Sequence, residues 1–496
     1  MSNQFLLRAL AAAVFSTVLA CTFLPHVKRR QAWRQQAEGR PRYERQPGFL
    51  LPIACLLPWC LLLARMGALV PHVMLSWSFG IFLHICVYDL LLLPFLPWLR
   101  RRISAEACAA LWLLPTYLYL VHLSFLQPEK PLYVLTLRGS WANRLPYIWL
   151  AGFLAVLVWK IADHLLFRRR VMADAQPVND RHTEILWRRA VTAARLDNFT
   201  VRLFTSSRVC VPVSIGLLRR TLLVVLPRDG HYTDEELELI FRHELIHIER
   251  RDAWTKFFLT FCSAMCWFNP LMWIAMDKCA QDLELSCDEL VLENADNSLR
   301  KTYAHLLLDT AGSSRGFTSC LSSSAQAMRH RLKNVMEPLG RRCGALLVGA
   351  VCFVLFITSG HVSLAYGGQS GAEVLCPGEI NSGGLKGNVA LSAEDGGYYY
   401  FELTDTQPLE DYLSTLTLCP MTGSYALSES EKVLQCWLRV ENGTSALAIH
   451  DRILSLIPVS SSGIGVKTYY YLPDGVDWDR LYDLLLSCSQ RIPNIA

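Results

Sequence analysis

Blocks of about twenty apolar residues recur through the first 170 residues of the chain, and one more follows near residue 350. A block of this length allows an α-helix to cross the hydrocarbon core of a bilayer. The pattern therefore predicts a multi-span α-helical membrane protein. Its six expected spans are residues 4–25, 49–70, 74–96, 107–126, 146–167 and 344–366.

Two polar regions interrupt this pattern. Residues 168–343 combine a helical stretch near 181–196 with short β-rich runs and later helices, which predicts an α+β domain. Residues 367–390 are rich in Gly and Ser and are expected to be a linker. Strand-like runs and amphipathic helical stretches follow, so residues 367–496 are expected to hold a second, small α+β domain.

Three basic clusters, at residues 28–45, 100–102 and 168–170, set the expected orientation, since positively charged loops stay in the cytoplasm. The turn at residues 71–73 is the weakest point of this topology, because merging the two spans around it would reverse the sides. The expected organisation is a bundle of about five spans (1–167), a cytoplasmic domain (168–343), a last transmembrane helix (344–366) and an extracellular, sensor-like domain (367–496).

The composition agrees with a membrane location. The chain is 52% hydrophobic and 18% charged, whereas soluble chains are about a quarter charged. A secreted enzyme, a disordered scaffold and a protein that binds nucleic acid directly are therefore excluded. The net charge of +5 is unevenly divided, because residues 367–496 carry seven Lys and Arg against sixteen Asp and Glu.

One helix with a sharp start carries the candidate chemistry. Thr233 can cap this helix, and Glu236 completes a capping box. The helix contains His243-Glu244-Leu245-Ile246-His247, an H-E-x-x-H motif. Residues four apart share a helical face, so both imidazoles can bind one metal ion. Zinc suits these ligands, and Glu244 would lie within reach of a water bound to the zinc.

A catalytic zinc site needs a third protein ligand. Asn269-Pro270 predicts the start of a second helix, with Asn as the N-cap. Glu284 and Asp288 lie four apart on that helix, so one can bind zinc while the other orients a ligand histidine. The spacing favours Glu284 as the ligand over Asp282, Asp288 or Glu289.

Charged residues flank the motif on both sides, which places the site in water or at the membrane surface. The neighbouring run Phe257–Met276 is apolar and long enough to suggest another span. A span there would put the two histidines and Glu284 on opposite sides of the membrane. This run is therefore expected to pack in a core or against the membrane surface.

With these motifs the chain resembles the integral-membrane gluzincin metallopeptidases typed by the beta-lactam-sensing antirepressor signal transducers. The resemblance is strongest over about residues 140–340. It rests on Val211-Pro212 with Gly216, Thr233-Asp234-Glu235-Glu236, the run from Arg242 to Asp252, Asn269-Pro270, the run from Glu284 to Glu289, and Tyr303-Ala304.

The resemblance implies a cytoplasmic α+β gluzincin domain with one Zn²⁺ and a role for each matching residue. Glu244 is the expected general base, and Asp288 the expected partner of a ligand. The expected zinc ligands are His243, His247 and Glu284. Val211, Pro212 and Gly216 are expected at an edge strand that pairs with the substrate backbone. Tyr303 and His305 both stay open as the donor that stabilises the oxyanion.

Two features depart from the family. Its typed members have four spans, and six are expected here. They also end in a large penicillin-binding sensor with a Ser-x-x-Lys nucleophile. Residues 367–496 are too few for that sensor and contain neither Ser-x-x-Lys nor Lys-Thr-Gly. We therefore expect no beta-lactam binding, and the extracellular ligand stays unknown.

The external region contains Cys376, Cys419, Cys436 and Cys488. An even number of cysteines outside the membrane permits two disulfides in three connectivities. Reduced thiols are the alternative, and the sequence does not decide between them.

The resemblance implies a signal-transducing zinc endopeptidase of the cell membrane. An extracellular signal would switch it on, and it would cut a cytoplasmic transcriptional repressor, itself or both. Self-cleavage would fall in the Ser- and Gly-rich segment 311–327. One alternative is a housekeeping protease of the prenyl-protein or heat-shock type, which needs no external domain. Another is a non-enzymatic receptor, against which the retained Glu244 speaks. Whether the chain forms a homodimer stays open.

Overall fold

The computed structural model contains apolar helices, a mixed helix and sheet region around the H-E-x-x-H motif, and a C-terminal sheet. It describes residues 3–35, 70–120, 128–194, 196, 200–217, 221–293, 295–312, 325–337, 341–375, 388–392, 398–405, 407–423, 425, 432–440, 443–460, 463–464 and 467–492.

The N-terminal part is mostly helical. Its elements are α1 (Asn3–Gln35), α2 (Val70–Arg102), α3 (Ala105–Leu113) with a 3-10 helix (Leu114–Leu120), β1 (Tyr133–Arg138), a second 3-10 helix (Ser140–Arg144) and α4 (Leu145–Asp174). Among the described residues, Met74–Arg102 and Ser140–Asp174 are long and apolar enough to cross a membrane. The apolar helices Phe5–Cys21 and Ala345–Thr358 are shorter than that test requires.

Several expected spans differ from the helices observed. The span expected at 49–70 lies outside the described residues, apart from its last residue. The turn expected at 71–73 is wrong, because α2 is already helical from Val70. In the segment 107–126, the α-helix ends at Leu113 and gives way to a 3-10 helix. Within its described part, residues 107–120, most side chains are buried against neighbouring helices, which explains the apolar composition.

The central region follows α4. Its elements are β2 (Gln176–Pro177), α5 (Arg181–Ala193), β3 (Arg202–Ser206), β4 (Val213–Ile215), β5 (Leu223–Pro227), α6 (Asp234–Arg250), α7 (Asp252–Met265), α8 (Pro270–Val291), α9 (Asn297–Gly312) and α10 (Ala325–Met336). The strands form a sheet in the order β2-β3-β5-β4, in which β3 and β5 are parallel. Trp187, Val224, Phe241 and Tyr303 share one buried core that joins this sheet to α5, α6 and α9.

The apolar run Phe257–Met276 is not one continuous helix. Helix α7 ends at Met265, and α8 begins at Pro270 after a turn. The Asn269 side chain caps α8 by accepting a hydrogen bond from the Leu271 amide at 3.0 Å. Trp149 of α4 donates to the Met265 carbonyl at 2.9 Å. This run therefore packs between the motif region and the N-terminal helices.

A last apolar helix, α11 (Ala345–Thr358), connects to the C-terminal region. The expected span 344–366 is too long, because the chain leaves the helix after Thr358 and becomes extended. The elements that follow are β6 (Val362–Gly367), β7 (Gln369–Ser370), α12 (Gly371–Leu375), β8 (Asn388–Ser392), β9 (Tyr398–Leu403), α13 (Gln407–Thr415), β10 (Thr417–Pro420), β11 (Val433–Val440), β12 (Gly443–His450), β13 (Ile453–Ser460), β14 (Gly463–Ile464), β15 (Thr468–Tyr471), α14 (Trp478–Cys488) and β16 (Ser489–Ile492).

The described strands of the C-terminal region form an extended sheet in the order β16-β9-β8-β11-β12-β13-β15-β10-β7, with β14 paired to β13. Leu375, Leu413 and Leu485, from three helices, share a core with Phe401 and Leu454 of the sheet. The linker expected at 367–390 is wrong in part, since β7, α12 and the start of β8 lie within it. Residues 376–387 lie outside the described part.

Two contacts join the C-terminal region to the helices. Strands β1 and β6 pair in parallel, from Tyr133 opposite Val362 to Arg138 opposite Gly367. The Gly423 amide donates to the Ser76 carbonyl, near the start of α2, at 3.0 Å. The segments before α4 and after α11 therefore lie at the same end of the helices as the C-terminal sheet.

The cysteines of this region do not form disulfides among the described residues. Cys419, Cys436 and Cys488 are buried thiols, and Cys376 lies outside the described part.

Candidate metal centre

Helix α6 brings the two motif histidines onto one face. Its start is fixed by the expected capping box. Thr233 accepts from the Glu236 amide at 3.4 Å, and the Glu236 carboxylate accepts from the Thr233 amide at 2.8 Å. Phe241 and Leu245 are buried in the core. This packing fixes the rotation of the helix and therefore the direction in which the histidines point.

Three potential ligand atoms converge beside this face. Nε2 of His243 and Nε2 of His247 are 3.1 Å apart. Oε2 of Glu284, on α8, lies 3.5 Å from the first and 3.6 Å from the second. Zinc bonds of about 2 Å in tetrahedral geometry place two ligand atoms about 3.3 Å apart. The spacing of the three atoms therefore fits a single zinc ion.

The hydrogen bonds behind the histidines favour the tautomer that a metal requires. Nδ1 of His247 is 2.7 Å from Oδ2 of Asp252, which can only accept. Tyr303 donates its hydroxyl proton to Asp288 at 2.7 Å, so its oxygen accepts from Nδ1 of His243 at 3.0 Å. Each neutral imidazole then turns an Nε2 lone pair toward the other and toward the carboxylate of Glu284. A cation at this point relieves the repulsion among them, and without a metal ion that cation is a proton. Burial would lower the pKa of His243, but Cys287 and Glu284 raise it to about 10.

Asp252 is held in place by the break between two helices. Arg251 ends α6 in the left-handed conformation, with φ of 58°, and α7 begins at the next residue. This reversal brings the Asp252 carboxylate back to His247. Arg250 donates to Asp252 at 3.2 Å and to Ser286 at 3.1 Å. Burial would raise the pKa of Asp252, but Arg250 and His247 hold that pKa below its usual value.

Asp288 has a partner that the sequence reasoning did not identify. Its oxygen is 3.6 Å from Nδ1 of His243, and the Tyr303 hydroxyl bridges the two groups. The Arg331 side chain, from α10, donates two hydrogen bonds of 2.7 Å to the same carboxylate. Because Tyr303 is committed to Asp288 and His243, it is a poor candidate for stabilising the oxyanion. His305 is exposed on α9.

The two other carboxylates considered as ligands point away from the histidines. Asp282 accepts from Arg100 of α2 at 2.7 Å and from Trp112 of α3 at 3.0 Å. Glu289 pairs with Arg341 and accepts from the Ala105 amide at 3.4 Å. Both residues connect α8 to the N-terminal helices or to the segment before α11. Among the four candidates, only Glu284 has an oxygen beside both Nε2 atoms in the described structure.

The charge of Glu284 is stabilised by its neighbours. Lys256 of α7 lies 3.5 Å from Oε1, on the side away from the histidines. Burial would raise the pKa of Glu284, but His247 and Lys256 hold it well below its usual range. Desolvation would lower the pKa of Lys256, yet the carboxylates of Glu284, Asp252 and Glu244 raise it. The Glu284 carboxylate is therefore available as a charged ligand at neutral pH.

Cys287 is a second candidate for the third ligand. His243, His247 and Cys287 each offer one potential ligand atom, and these atoms lie within 4.8 Å of one another. The Cys287 thiol is fully buried and donates to the His243 carbonyl at 3.5 Å. Burial opposes ionisation of this thiol, but the two histidines lower its pKa to about 7. The Glu284 oxygen lies 3.5 and 3.6 Å from the two Nε2 atoms and belongs to a group that is charged at neutral pH, which favours Glu284.

Glu244 lies between the histidines in the sequence and is 7% exposed. Its charge acts on Lys256, which also pairs with Glu284. The expected edge strand is present as β4, the last strand of the sheet, and it packs against α6. Val211 and Pro212 precede β4 and are half-buried, whereas Gly216 follows it and is buried.

The backbone conformation and close surroundings at Gly216 require a glycine. Its φ is +127°, and an added Cβ would lie 2.4 Å from the Thr221 carbonyl oxygen. Trp254 of α7 donates to the neighbouring Leu217 carbonyl at 2.8 Å. The turn after β4 is therefore tied to the helix that carries Asp252 and Lys256.

The sequence reasoning gave no individual role to four residues that the structure places around the centre. They are Asp252, Lys256, Cys287 and Arg331. Asp252 had a usable signal, because it is an acidic residue shortly after H-E-x-x-H. Arg331 had none, since it lies 43 residues from Asp288 and beyond the segment 313–324, which is outside the described residues.

This arrangement of an H-E-x-x-H helix, a carboxylate from a second helix and hydrogen-bonded histidines defines a metallopeptidase-like centre. Residues 135–335 match the family described as BlaR1 peptidase M56. The resemblance drawn from the motifs is confirmed for this region, which covers less than half of the chain. A metallopeptidase family implies a metal cofactor, typically zinc.

Individual relatives agree with the family match. The chain is 23% identical over 212 residues to the regulatory protein BlaR1 of Bacillus licheniformis, which covers 42% of this chain and 35% of that protein. It is 27% identical over 129 residues to the regulatory protein BlaR1 of Staphylococcus aureus, covering 25% and 22%. It is 29% identical over 89 residues to the methicillin resistance mecR1 protein of S. aureus, covering 18% and 15%. The matched regions span about a third or less of these relatives.

Proposed function

We propose that the chain is a membrane-embedded, signal-transducing zinc endopeptidase. In response to a signal at its C-terminal region, it cuts a cytoplasmic transcriptional repressor, itself or both. The observation that carries the proposal is the convergence of Nε2 of His243, Nε2 of His247 and Oε2 of Glu284 within 3.6 Å. These three residues would hold one Zn²⁺, and Glu244 beside them would act as general base.

Each residue has a defined part in peptide hydrolysis. Zinc, when bound, would polarise the scissile carbonyl and lower the pKa of the attacking water. The Glu244 carboxylate takes the proton from that water and can pass it to the leaving amine nitrogen. Asp252 and the Tyr303–Asp288 pair keep the imidazoles in the tautomer that leaves Nε2 unprotonated. Within the described sheet, β4 is the last strand and pairs only with β5, so an extended substrate can add to its other side.

The position of α2 supports opposite locations for the two polar regions. Ser76, near one end, contacts Gly423 of the C-terminal region, and Arg100, near the other end, binds Asp282 of the motif region. A helix rises 1.5 Å per residue, so these contacts are about 36 Å apart along the axis. That distance exceeds the hydrocarbon thickness of about 30 Å. With the basic clusters placed inside, the metal centre is cytoplasmic and the C-terminal sheet extracellular.

The proposal is tested with Glu244→Gln in the purified full chain. The variant keeps the shape of the side chain and all three proposed ligands, so it should bind zinc like wild type. It should have lost at least about 100-fold in peptide hydrolysis, since proton transfer supplies this much or more. Hydrolysis at the wild-type rate would refute the catalytic assignment. Wild-type protein that binds no zinc after loading at neutral pH would refute the zinc site itself.

A housekeeping protease is the alternative function, and it shares the metal centre. Deletion of residues 368–496 distinguishes the signalling function from the housekeeping function. The shortened chain keeps both strands of the β1–β6 pair. A housekeeping enzyme should keep its activity toward a cytoplasmic substrate. The signalling enzyme should lose its response to the external signal, so its activity should differ from that of the unstimulated full chain or no longer rise on stimulation. A non-enzymatic receptor would show no hydrolysis in either form.

A further inference from the structure

Helix α10 places one buried arginine directly behind the metal centre. Nε and Nη2 of Arg331 donate to the two oxygens of Asp288, each at 2.7 Å. Its Nη1 lies 3.8 Å from Oε2 of Glu284. The Arg331 side chain is 14% exposed, and that of Asp288 is 1% exposed. A bidentate arginine–carboxylate contact of this kind fixes both the position and the rotation of the carboxylate.

The fixed carboxylate in turn determines the orientation of His243. Asp288 accepts from the Tyr303 hydroxyl, and the hydroxyl oxygen accepts from Nδ1 of His243. Without Arg331, the buried charge of Asp288 would lose its principal partner. An uncompensated carboxylate would rotate or draw in water. Each of these outcomes changes the acceptor offered to Tyr303 and thereby loosens the His243 ring.

Helix α10 is itself anchored on both sides. Arg300 of α9 donates to the Val335 carbonyl at 3.0 Å. The segment after α10 pairs with the end of α2, where the Arg342 amide donates to the Arg102 carbonyl at 2.9 Å. Gly344 then caps the start of α11. Arg331 therefore belongs to the segment that connects the metal centre to the last apolar helix.

We propose that Arg331 is a positioning residue of the metal centre: acting through Asp288 and Tyr303, it holds His243 with Nε2 directed at the metal. This inference rests on the proposed zinc function. It assigns a role in metal binding to α10, which carries none of the motif residues. Nη1 of Arg331 also lies 3.8 Å from Oε2 of Glu284, a contact that does not pass through Tyr303.

The test measures zinc affinity of the full chain in detergent, by competition with a chelator, for wild type and Arg331→Gln. We expect one zinc at saturation in both proteins. The dissociation constant should rise roughly 10- to 100-fold in the variant, as for other residues that orient a metal ligand. Arg329→Gln is the matched control, because it removes the same charge from an exposed position of the same helix. It should stay within about twofold of wild type, as surface substitutions do.

A double-mutant cycle with Tyr303→Phe separates positioning from a general structural role. If Arg331 acts through Tyr303, the double variant should bind zinc about as weakly as the weaker single variant. Losses that multiply fully would overturn the proposal. So would Arg331→Gln and Arg329→Gln with equal affinity. The Co²⁺-loaded proteins supply a second readout, since a loosened His243 should change the visible ligand-field bands in the Arg331 variant only.

Arg331→Lys covers the case in which Arg331→Gln does not fold. Lysine keeps the charge beside Asp288 but cannot form the bidentate pair of hydrogen bonds. We expect an intermediate rise in the dissociation constant, at an unfolding temperature close to that of wild type. A wild-type affinity in this variant would overturn the proposal. Failure of wild-type protein itself to bind zinc would overturn the proposed function and this inference together.

Discussion

The two histidines of the centre are oriented in different ways. His247 donates directly to Asp252, a residue only five positions away and charge-paired with Arg250. His243 reaches its carboxylate, Asp288, through the Tyr303 hydroxyl, and that carboxylate depends on Arg331 from another helix. One imidazole is therefore oriented locally, and the other depends on the packing of three helices. Movement of α10 would affect the His243 side while leaving the His247 side intact.

In the proposed centre both imidazoles bind one ion together with Glu284. Glu284→Ala should weaken zinc binding roughly 100- to 1,000-fold, because the binding energy of a zinc site is shared among few ligands. Chelator competition measures this loss. Glu289→Ala, on the same helix but paired with Arg341, is the control and should bind normally. Normal zinc affinity in Glu284→Ala would remove the assignment of the third ligand.

Zinc affinity should be more sensitive to loss of the Asp252 contact to His247 than to loss of the Tyr303 contact to His243. Asp252→Asn removes the charge that pairs with the Arg250 guanidinium and weakens the acceptor for His247. We expect zinc affinity to fall towards the upper end of a 10- to 100-fold range, together with a lower unfolding temperature. The same pair of measurements on Asp277→Asn, an exposed residue of α8, provides the reference. An unchanged affinity in Asp252→Asn would contradict the direct role given to this carboxylate.

The contact between His243 and Asp288, which runs through the Tyr303 hydroxyl, should tolerate loss of that hydroxyl better. Tyr303→Phe deletes the bridging hydroxyl but leaves the Asp288–Arg331 pair in place, so a loss of about 10-fold in zinc affinity is expected. A water molecule at the vacated position could restore part of the bond. A loss in Tyr303→Phe that equals or exceeds the loss in Asp252→Asn would show that the two histidines are held with similar firmness.

The smallest effect is expected at Cys287. Its thiol donates to a backbone carbonyl, and a serine hydroxyl can do the same. Cys287→Ser should therefore bind zinc within about threefold of wild type, as expected for exchange of one neutral hydrogen bond. Wild-type protein loaded with Co²⁺ should show no thiolate-to-metal charge-transfer band. A strong band that disappears in Cys287→Ser would make Cys287, rather than Glu284, the third ligand.

Sequence reasoning worked best where the required contact lies within one helix or at its end. The capping box of Thr233 and Glu236 and the N-cap at Asn269 follow from local hydrogen bonds. The shared face of His243 and His247 follows from helical periodicity. The four-residue spacing of Glu284 and Asp288 has the same origin. For that reason the sequence proposed the residues that the structure brings together.

The sequence was less informative about the boundaries of the apolar segments. Residues 359–366 are expected to extend the last membrane helix, yet within them β6 begins and pairs with β1, more than 220 residues earlier. Hydropathy measures the preference for an apolar environment, and a strand packed against other side chains meets that preference as well as a helix does. The prediction of a Gly- and Ser-rich linker at residues 367–390 was wrong in part for a related reason. Its ends form β7, α12 and β8 because the adjacent sheet supplies their hydrogen-bond partners and core.

The sequence by itself therefore determined the chemistry of the centre: which residue types are present, and which of them share a helical face. The tertiary structure alone decided how that chemistry is oriented. The left-handed turn at Arg251 brings Asp252 to His247, and the packing of α8, α9 and α10 aligns Asp288, Tyr303 and Arg331 behind His243. The physical reason is range. Helical spacing follows from the local backbone, whereas a relay across three helices exists only after distant segments have packed together.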